Sequence, residues 1–143
     1  NIMKPIKILL IEDNDGDILL FKESFEDAGI LANIEVITDG KLAMDYFQLL
    51  SSKALDQYPD LIFLDINLPK KNGHEVLEFL KKNENLKDIP VIMLSTSSWY
   101  KDIEKANEAG VLLFISKPFD VDQFLRKITS KRQFSILLKK NQS

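Results

Sequence analysis

At 143 residues, 45% hydrophobic and 29% charged, the chain has the size and balance of one globular domain with a sizeable core, and having no cysteine it excludes disulfides, thiolate metal sites and thiol nucleophiles. No apolar run approaches the roughly 20 residues of a membrane-spanning helix, and the N-terminus has no signal-peptide pattern, so the expectation is a cytoplasmic protein with no membrane contact. The net charge of −3 is uneven: residues 126–143 carry six basic groups and no acid, which leaves residues 1–125 at about −9 and disfavours nucleic acid or anionic membrane as their partner.

Residues 6–11, IKILLI, form a near-continuous apolar run, the pattern of a strand buried on both faces. After an acidic turn, Ile18, Phe21, Phe25 and Ala28 recur at helical spacing until Gly29, a natural helix stop. Residues 34–38, IEVIT, read as a second strand. Asp39 is placed to cap a helix whose inner face includes Ala43, Tyr46, Phe47 and Leu50. The stretch 51–59 reads as a long surface loop, and Leu61 to Leu64 as a third strand. A helix after Gly73 turns Val76, Leu77 and Leu80 inward. Val91 to Leu94 make a fourth strand, followed by a helix with Ile103 and Ala106 that stops near Gly110, and Trp99 falls at its start. Val111 to Ile115 are the fifth strand, and a last helix begins near Asp120. Strands alternating with helices predict a doubly wound α/β domain, a five-stranded parallel sheet with helices on both faces.

Every strand but the second ends in residues suited to one site: Glu12-Asp13 after the first, Asp65 after the third, Ser95 at the fourth and Lys117 after the fifth. In open α/β sheets ligands bind beyond the carboxyl ends of the strands, at the switch in strand order. With the order 2-1-3-4-5 these four ends are contiguous. Three carboxylates packed together repel one another, so one of them is expected to hold a proton unless a cation is bound. Oxygen-only ligands suit Mg²⁺, which keeps several waters and also binds phosphate oxygens. A carboxylate beside such an ion can attack a phosphoryl group and form an acyl phosphate, with Lys117 and the Ser95 hydroxyl offsetting charge on the transferred oxygens. Taken one at a time, these residues have plainer readings. Glu12-Asp13 can cap the first helix, Ser95 opens an STSS run suited to capping the fourth, and Lys117 can be a surface lysine. Asp65 is harder to dismiss, because a charge directly after LIFL needs a partner at the edge of an apolar core.

The stretches ILLIEDN at 8–14, LIFLDINLPKKNG at 61–73, IPVIMLSTS at 89–97 and LLFISKPF at 112–119 together resemble the response-regulator receiver family of two-component signalling, over about residues 5–128. The resemblance implies a flavodoxin-like fold and a set of roles. Asp65 is then the phosphoacceptor. Asp13 and Asp65 are direct Mg²⁺ ligands, joined by the backbone carbonyl of Asn67, with Glu12 acting through water. Ser95 takes the place of the switch hydroxyl, and Phe114 that of the aromatic that moves with it. Lys117 precedes a proline at a peptide bond often cis in the family, and Asn67 and Ser97 lie where dephosphorylation is tuned. The resemblance also implies a phosphoryl donor, a sensor histidine kinase or phosphotransfer protein, and an output made by protein contact or onward phosphotransfer. EDNDGD at 12–17 looks most like the stand-alone regulators that partner phytochrome-type kinases. Lys70 and Lys71 depart from the commoner residues after Pro69 and make the loop beside the site more basic, and Thr96 is bulkier than usual.

Beyond residue 128, residues 129–143 read as an extension of the last helix or a tail, too short for a DNA-binding domain. Phe134, Leu137 and Leu138 extend the apolar stripe beyond what one domain needs, and motivate a homodimer through the last helix, against a tail folded back on its own domain. His74, the single histidine, is expected at the surface near a helix start. Three other readings stay open. A haloacid-dehalogenase-type Mg²⁺ phosphatase has an acid where Asn67 stands, and a flavodoxin phosphate loop is at odds with Glu12, Asp13, Asp15 and Asp17. The third is a module of the same fold that binds a protein without being phosphorylated. None of these readings makes the chain an enzyme beyond its own phosphotransfer and autodephosphorylation, except the phosphatase.

Overall fold

In the computed structural model, which describes residues 4–96 and 99–131, five parallel strands alternate with five α-helices. The strands are β1 (Ile6–Ile11), β2 (Ala32–Ile37), β3 (Leu61–Asp65), β4 (Val91–Ser95) and β5 (Leu113–Ser116). The helices are α1 (Asp15–Asp27), α2 (Gly40–Leu50), α3 (Gly73–Lys82), α4 (Tyr100–Glu108) and α5 (Val121–Thr129). The sheet order is β2-β1-β3-β4-β5, the order that makes the four polar strand ends contiguous. Ser97 and residues 132–143, with the Phe134, Leu137 and Leu138 of the expected dimer face, lie outside the described residues.

The sheet divides two apolar layers, because successive side chains on a strand point to opposite faces. Leu9, Ile11, Ile62, Leu64 and Met93 face Ala43 and Phe47 of α2, Val76, Leu77 and Leu80 of α3, and Ala106 of α4. Ile8, Leu10, Phe63, Ile92, Leu94 and Ile115 face Phe21 and Phe25 of α1 and Phe124 and Ile128 of α5. This second layer is aromatic: the ring of Phe63 meets those of Phe21, Phe119 and Phe124 edge-on at 4.8, 5.6 and 5.3 Å. Strands β3 and β4 are buried at every position, which explains why their sequences are apolar without alternation.

Several local expectations shift. Asp39 caps α2 by accepting from the Leu42 amide at 2.7 Å, and Asp120 caps α5. Helix α1 is capped by Asn14, whose Oδ1 accepts from the Asp17 amide at 2.9 Å, so Glu12-Asp13 do not serve that purpose. The N-cap of α4 is Trp99, which makes no side-chain capping hydrogen bond; the residue is 55% exposed, with the Lys101 ammonium over its ring. Strand β5 starts two residues late, because Gly110 turns at φ +92 and Val111 still bonds back to the Ala106 carbonyl. The 51–59 stretch is tethered by a 3₁₀ turn, Leu55–Gln57, and by Tyr58, which is buried. Tyr46 is half-buried and donates to Glu35 at 3.4 Å.

Two glycines are set by close approach. A Cβ on Gly40 would stand 1.8 Å from the Lys71 carbonyl oxygen, and one on Gly73 would stand 2.3 Å from that of Asp65. The loop between β3 and α3 therefore presses against the start of α2, and Gly40 N donates to the Pro69 carbonyl at 3.2 Å.

Candidate functional site

The ladder continues just past the strands and carries the polar residues to one rim. Glu12 N donates to Ile37 O at 3.0 Å, Ile66 N to Leu94 O at 3.1 Å and Lys117 N to Ser95 O at 2.8 Å. Glu12, Asp65 and Ser95 are buried there, at 1%, 3% and 0% exposure, while Asp13 is exposed. Carboxylate oxygens of Glu12, Asp13 and Asp65 lie within 4.8 Å of one another. Lys117, its side chain 9% exposed, donates through Nζ to Glu12 Oε1 at 2.5 Å, Asp17 Oδ2 at 3.0 Å and Asp65 Oδ2 at 3.1 Å. Asp65 Oδ1 accepts from the Asn67 amide at 3.1 Å, and Glu12 Oε2 accepts from the amides of Asp13 and Asn14.

The electrostatics follow from burial. Burial pushes the Glu12 carboxyl up to about 7; Lys117 opposes the rise, and Asp65 adds to it. The direction is that expected of crowded carboxylates, but burial is the larger cause and the neighbouring Asp65 the smaller. Burial alone would lower Lys117, but its hydrogen bonds to Glu12 and Asp17 and the charges of Asp65 and Glu12 outweigh it, so the ammonium is held above its ordinary range.

Phe114 is half-buried against the layer containing α2, α3 and α4, and the Lys117-Pro118 peptide is cis. Asn67 and Thr96 are exposed at the rim. Lys70 has φ +68, unusual for a residue with a Cβ; it sits at the centre of a γ-turn closed by Lys71 N to Pro69 O at 2.8 Å. Its ammonium is 3.7 Å from Asp39. His74 is not at the surface as expected: its side chain is 10% exposed and tucked between α3 and α4, with Nε2 3.3 Å from Asp102 Oδ1 and Nδ1 buried without a hydrogen-bond partner. The site residue that sequence reasoning missed is Asp17. It had been read only as one of several acids after β1, and no spacing rule links it to a lysine 100 positions away. Larger open clefts exist, such as one of about 330 Å³ lined by Lys7, Asn33, Glu35 and Tyr46, but it flanks the early parts of β1 and β2, away from this rim.

Against known proteins, the model of the response regulator receiver domain matches residues 8–129. The chain belongs to the response regulator receiver family. The receiver is 35% identical to the probable methanogenesis regulatory protein FilR2 of Methanothrix harundinacea over 130 residues, covering 91% of this chain and 83% of that protein. Its fold superposes on the phosphorylated cyanobacterial phytochrome response regulator RcpA with a TM-score of 0.73 and 37% identity, over 92% of this chain and 94% of that one. The Mn²⁺-bound form of Rcp1, a Synechocystis response regulator, gives 0.72 and 33%, over 94% and 95%. Among the described residues, no helix of the receiver is long and apolar enough to cross a membrane.

Proposed function

We propose that this receiver is a signalling switch, phosphorylated on Asp65 with a divalent cation, Mg²⁺ by preference, held by Asp13, Asp65 and the Asn67 carbonyl, with Glu12 acting through water. The observation that carries this reading is the convergence of three carboxylates and one lysine at the ends of β1, β3 and β5. The donor set fits such an ion. It is all oxygen, its atoms lie close enough for one cation, and a single ammonium leaves negative charge in excess among Glu12, Asp13, Asp17 and Asp65. When bound, the cation supplies charge neutralisation for the phosphoryl oxygens and for the attacking carboxylate.

The chain's own residues do the rest. An Asp65 carboxylate oxygen forms a bond to phosphorus as the bond from phosphorus to the donor breaks. The electron pair leaves with the donor, an imidazole for a phosphohistidine or acetate for acetyl phosphate. Lys117, already against Asp65, offsets charge on the transferred oxygens, and the hydroxyl of buried Ser95 donates to one of them. Phe114, half-buried beside β4, is the aromatic whose repacking passes the change outward. Asn67 and Ser97 tune the lifetime of the acyl phosphate, which the domain itself hydrolyses. Residues 5–128 form the receiver unit, with 129–143 as an extension of α5 or a tail; the homodimer through that segment stays part of the proposal. The donor is a sensor histidine kinase or phosphotransfer protein, and output is by protein contact or onward phosphotransfer in the cytoplasm. Relatives that bear the names of phytochrome response regulators support a phytochrome-type or related sensor kinase over other donors.

The test is intact mass after incubation with Mg²⁺ and acetyl phosphate. One added phosphoryl group is expected, absent in Asp65→Asn and absent without metal. A group that persists in Asp65→Asn refutes the acceptor. No addition, even from a histidine kinase, leaves the module that binds a partner without phosphorylation.

A further inference from the structure

Lys117 carries three N–H bonds, and all three point at carboxylates: Glu12 at 2.5 Å, Asp17 at 3.0 Å and Asp65 at 3.1 Å. Two of these acceptors are also the groups that the proposed cation would engage. Glu12 and Asp65 belong to the trio whose oxygens gather within 4.8 Å, and Asp65 is the proposed acceptor of the phosphoryl group. Asp17 is not in that trio. It stands on the first turn of α1, its amide fixed by the Asn14 cap at 2.9 Å, and its partly exposed carboxylate reaches across to Lys117. Lys117 lines a recess together with Leu20, Phe21, Leu94 and Phe119, whose apolar side chains offer its ammonium no acceptor. Without Asp17, an ammonium whose other two acceptors are engaged by the cation would be held less firmly beside Asp65.

We propose that Asp17 is a positioning residue: it keeps the Lys117 ammonium beside Asp65 once the cation has engaged Glu12 and Asp65, before the phosphoryl group arrives. This rests on the phosphoacceptor reading of Asp65. Its role needs charge and reach, so glutamate can substitute and asparagine only in part.

The experiment measures amine labelling of Lys117 by trace acetic anhydride, read by peptide mass spectrometry against Lys127, with and without Mg²⁺ and with no phosphodonor. In the unmodified protein Mg²⁺ is expected to leave Lys117 slow to label. In Asp17→Ala it is expected to speed labelling about fivefold, the order of one charge-assisted hydrogen bond to a partly exposed carboxylate, with Asp17→Asn between and Asp17→Glu restored. Phosphorylation by acetyl phosphate at saturating Mg²⁺ should slow by a similar factor in Asp17→Ala, and Asp17→Ala should add nothing in a Lys117→Met background. Labelling of Lys117 in Asp17→Ala that ignores Mg²⁺ overturns the proposal, as does a rate loss that survives in Lys117→Met, or faster phosphorylation in Asp17→Ala. If the unmodified protein takes up no phosphoryl group at all, the reading of Asp65 fails, and the labelling still decides whether Asp17 holds Lys117.

Discussion

Replacing Gly40 with alanine sets two opposed effects against each other. At the first position of α2 alanine gains roughly 0.5–1 kcal/mol of backbone entropy over glycine. The new Cβ, however, would lie 1.8 Å from the Lys71 carbonyl oxygen and 2.6 Å from its carbon. Carbon–oxygen contacts settle near about 3.3 Å, so the loop must retreat by about 1.5 Å. The obstruction is backbone, so no side-chain rotation relieves it, and the same retreat weakens the 3.2 Å bond from Gly40 N to Pro69 O. Overpacking of this kind costs about 1–3 kcal/mol, and the clash therefore wins, for a net loss of about 1–2 kcal/mol. The assay is guanidinium denaturation at constant slope, in EDTA, beside Gly29→Ala. Gly29 has φ +71 but nothing within 4 Å of its Cβ, so that control loses only conformational energy, about 1 kcal/mol. The loop also carries Asn67, two residues before Pro69, so Gly40→Ala should weaken Mg²⁺ binding while Gly29→Ala should not. Undiminished stability in Gly40→Ala, or equal loss of metal affinity in both variants, refutes the reasoning.

The Glu12 carboxyl, raised to about 7 by burial, gives a pH dependence with a definite sign. Between its ordinary 4.5 and about 7 the folded protein binds the proton more tightly than the unfolded chain, so stability from this group is full at low pH and is lost as pH rises through the window. Metal-free denaturation from pH 4.5 to 8 should show that component as the difference from Glu12→Gln, and a difference of opposite slope would count against the buried, protonated acid. Because a cation competes with that proton, Mg²⁺ affinity should rise with pH up to about 7 and then level, measured by titration of Trp99 fluorescence. At Lys70, with φ +68, glycine relieves a left-handed residue at the cost of a long 3.7 Å ion pair between its exposed ammonium and the buried Asp39. Lys70→Gly should therefore raise stability by about 0.5–1 kcal/mol, read from the denaturation midpoint, and a loss would show that the ion pair outweighs the backbone term.

The sequence by itself determined the alternation of strands and helices, the parallel sheet and the residues at its carboxyl rim. These signals are local: apolar runs, helical spacing, caps such as Asp39 and Asp120, and charges placed directly after buried strands. It also determined that Asp65 needs a partner, since an acid after LIFL sits at the edge of the core. Which partner was a different matter. The three-way hold on Lys117, the clash that reserves position 40 for glycine and the burial of His74 beside Asp102 join residues that are 28 to 105 positions apart. Tertiary structure decided these, because side chains so distant in sequence meet only once the helices have packed on the sheet. A carboxylate on the first turn of α1 looks the same in sequence whether it faces water or reaches a lysine, and only packing tells the two apart.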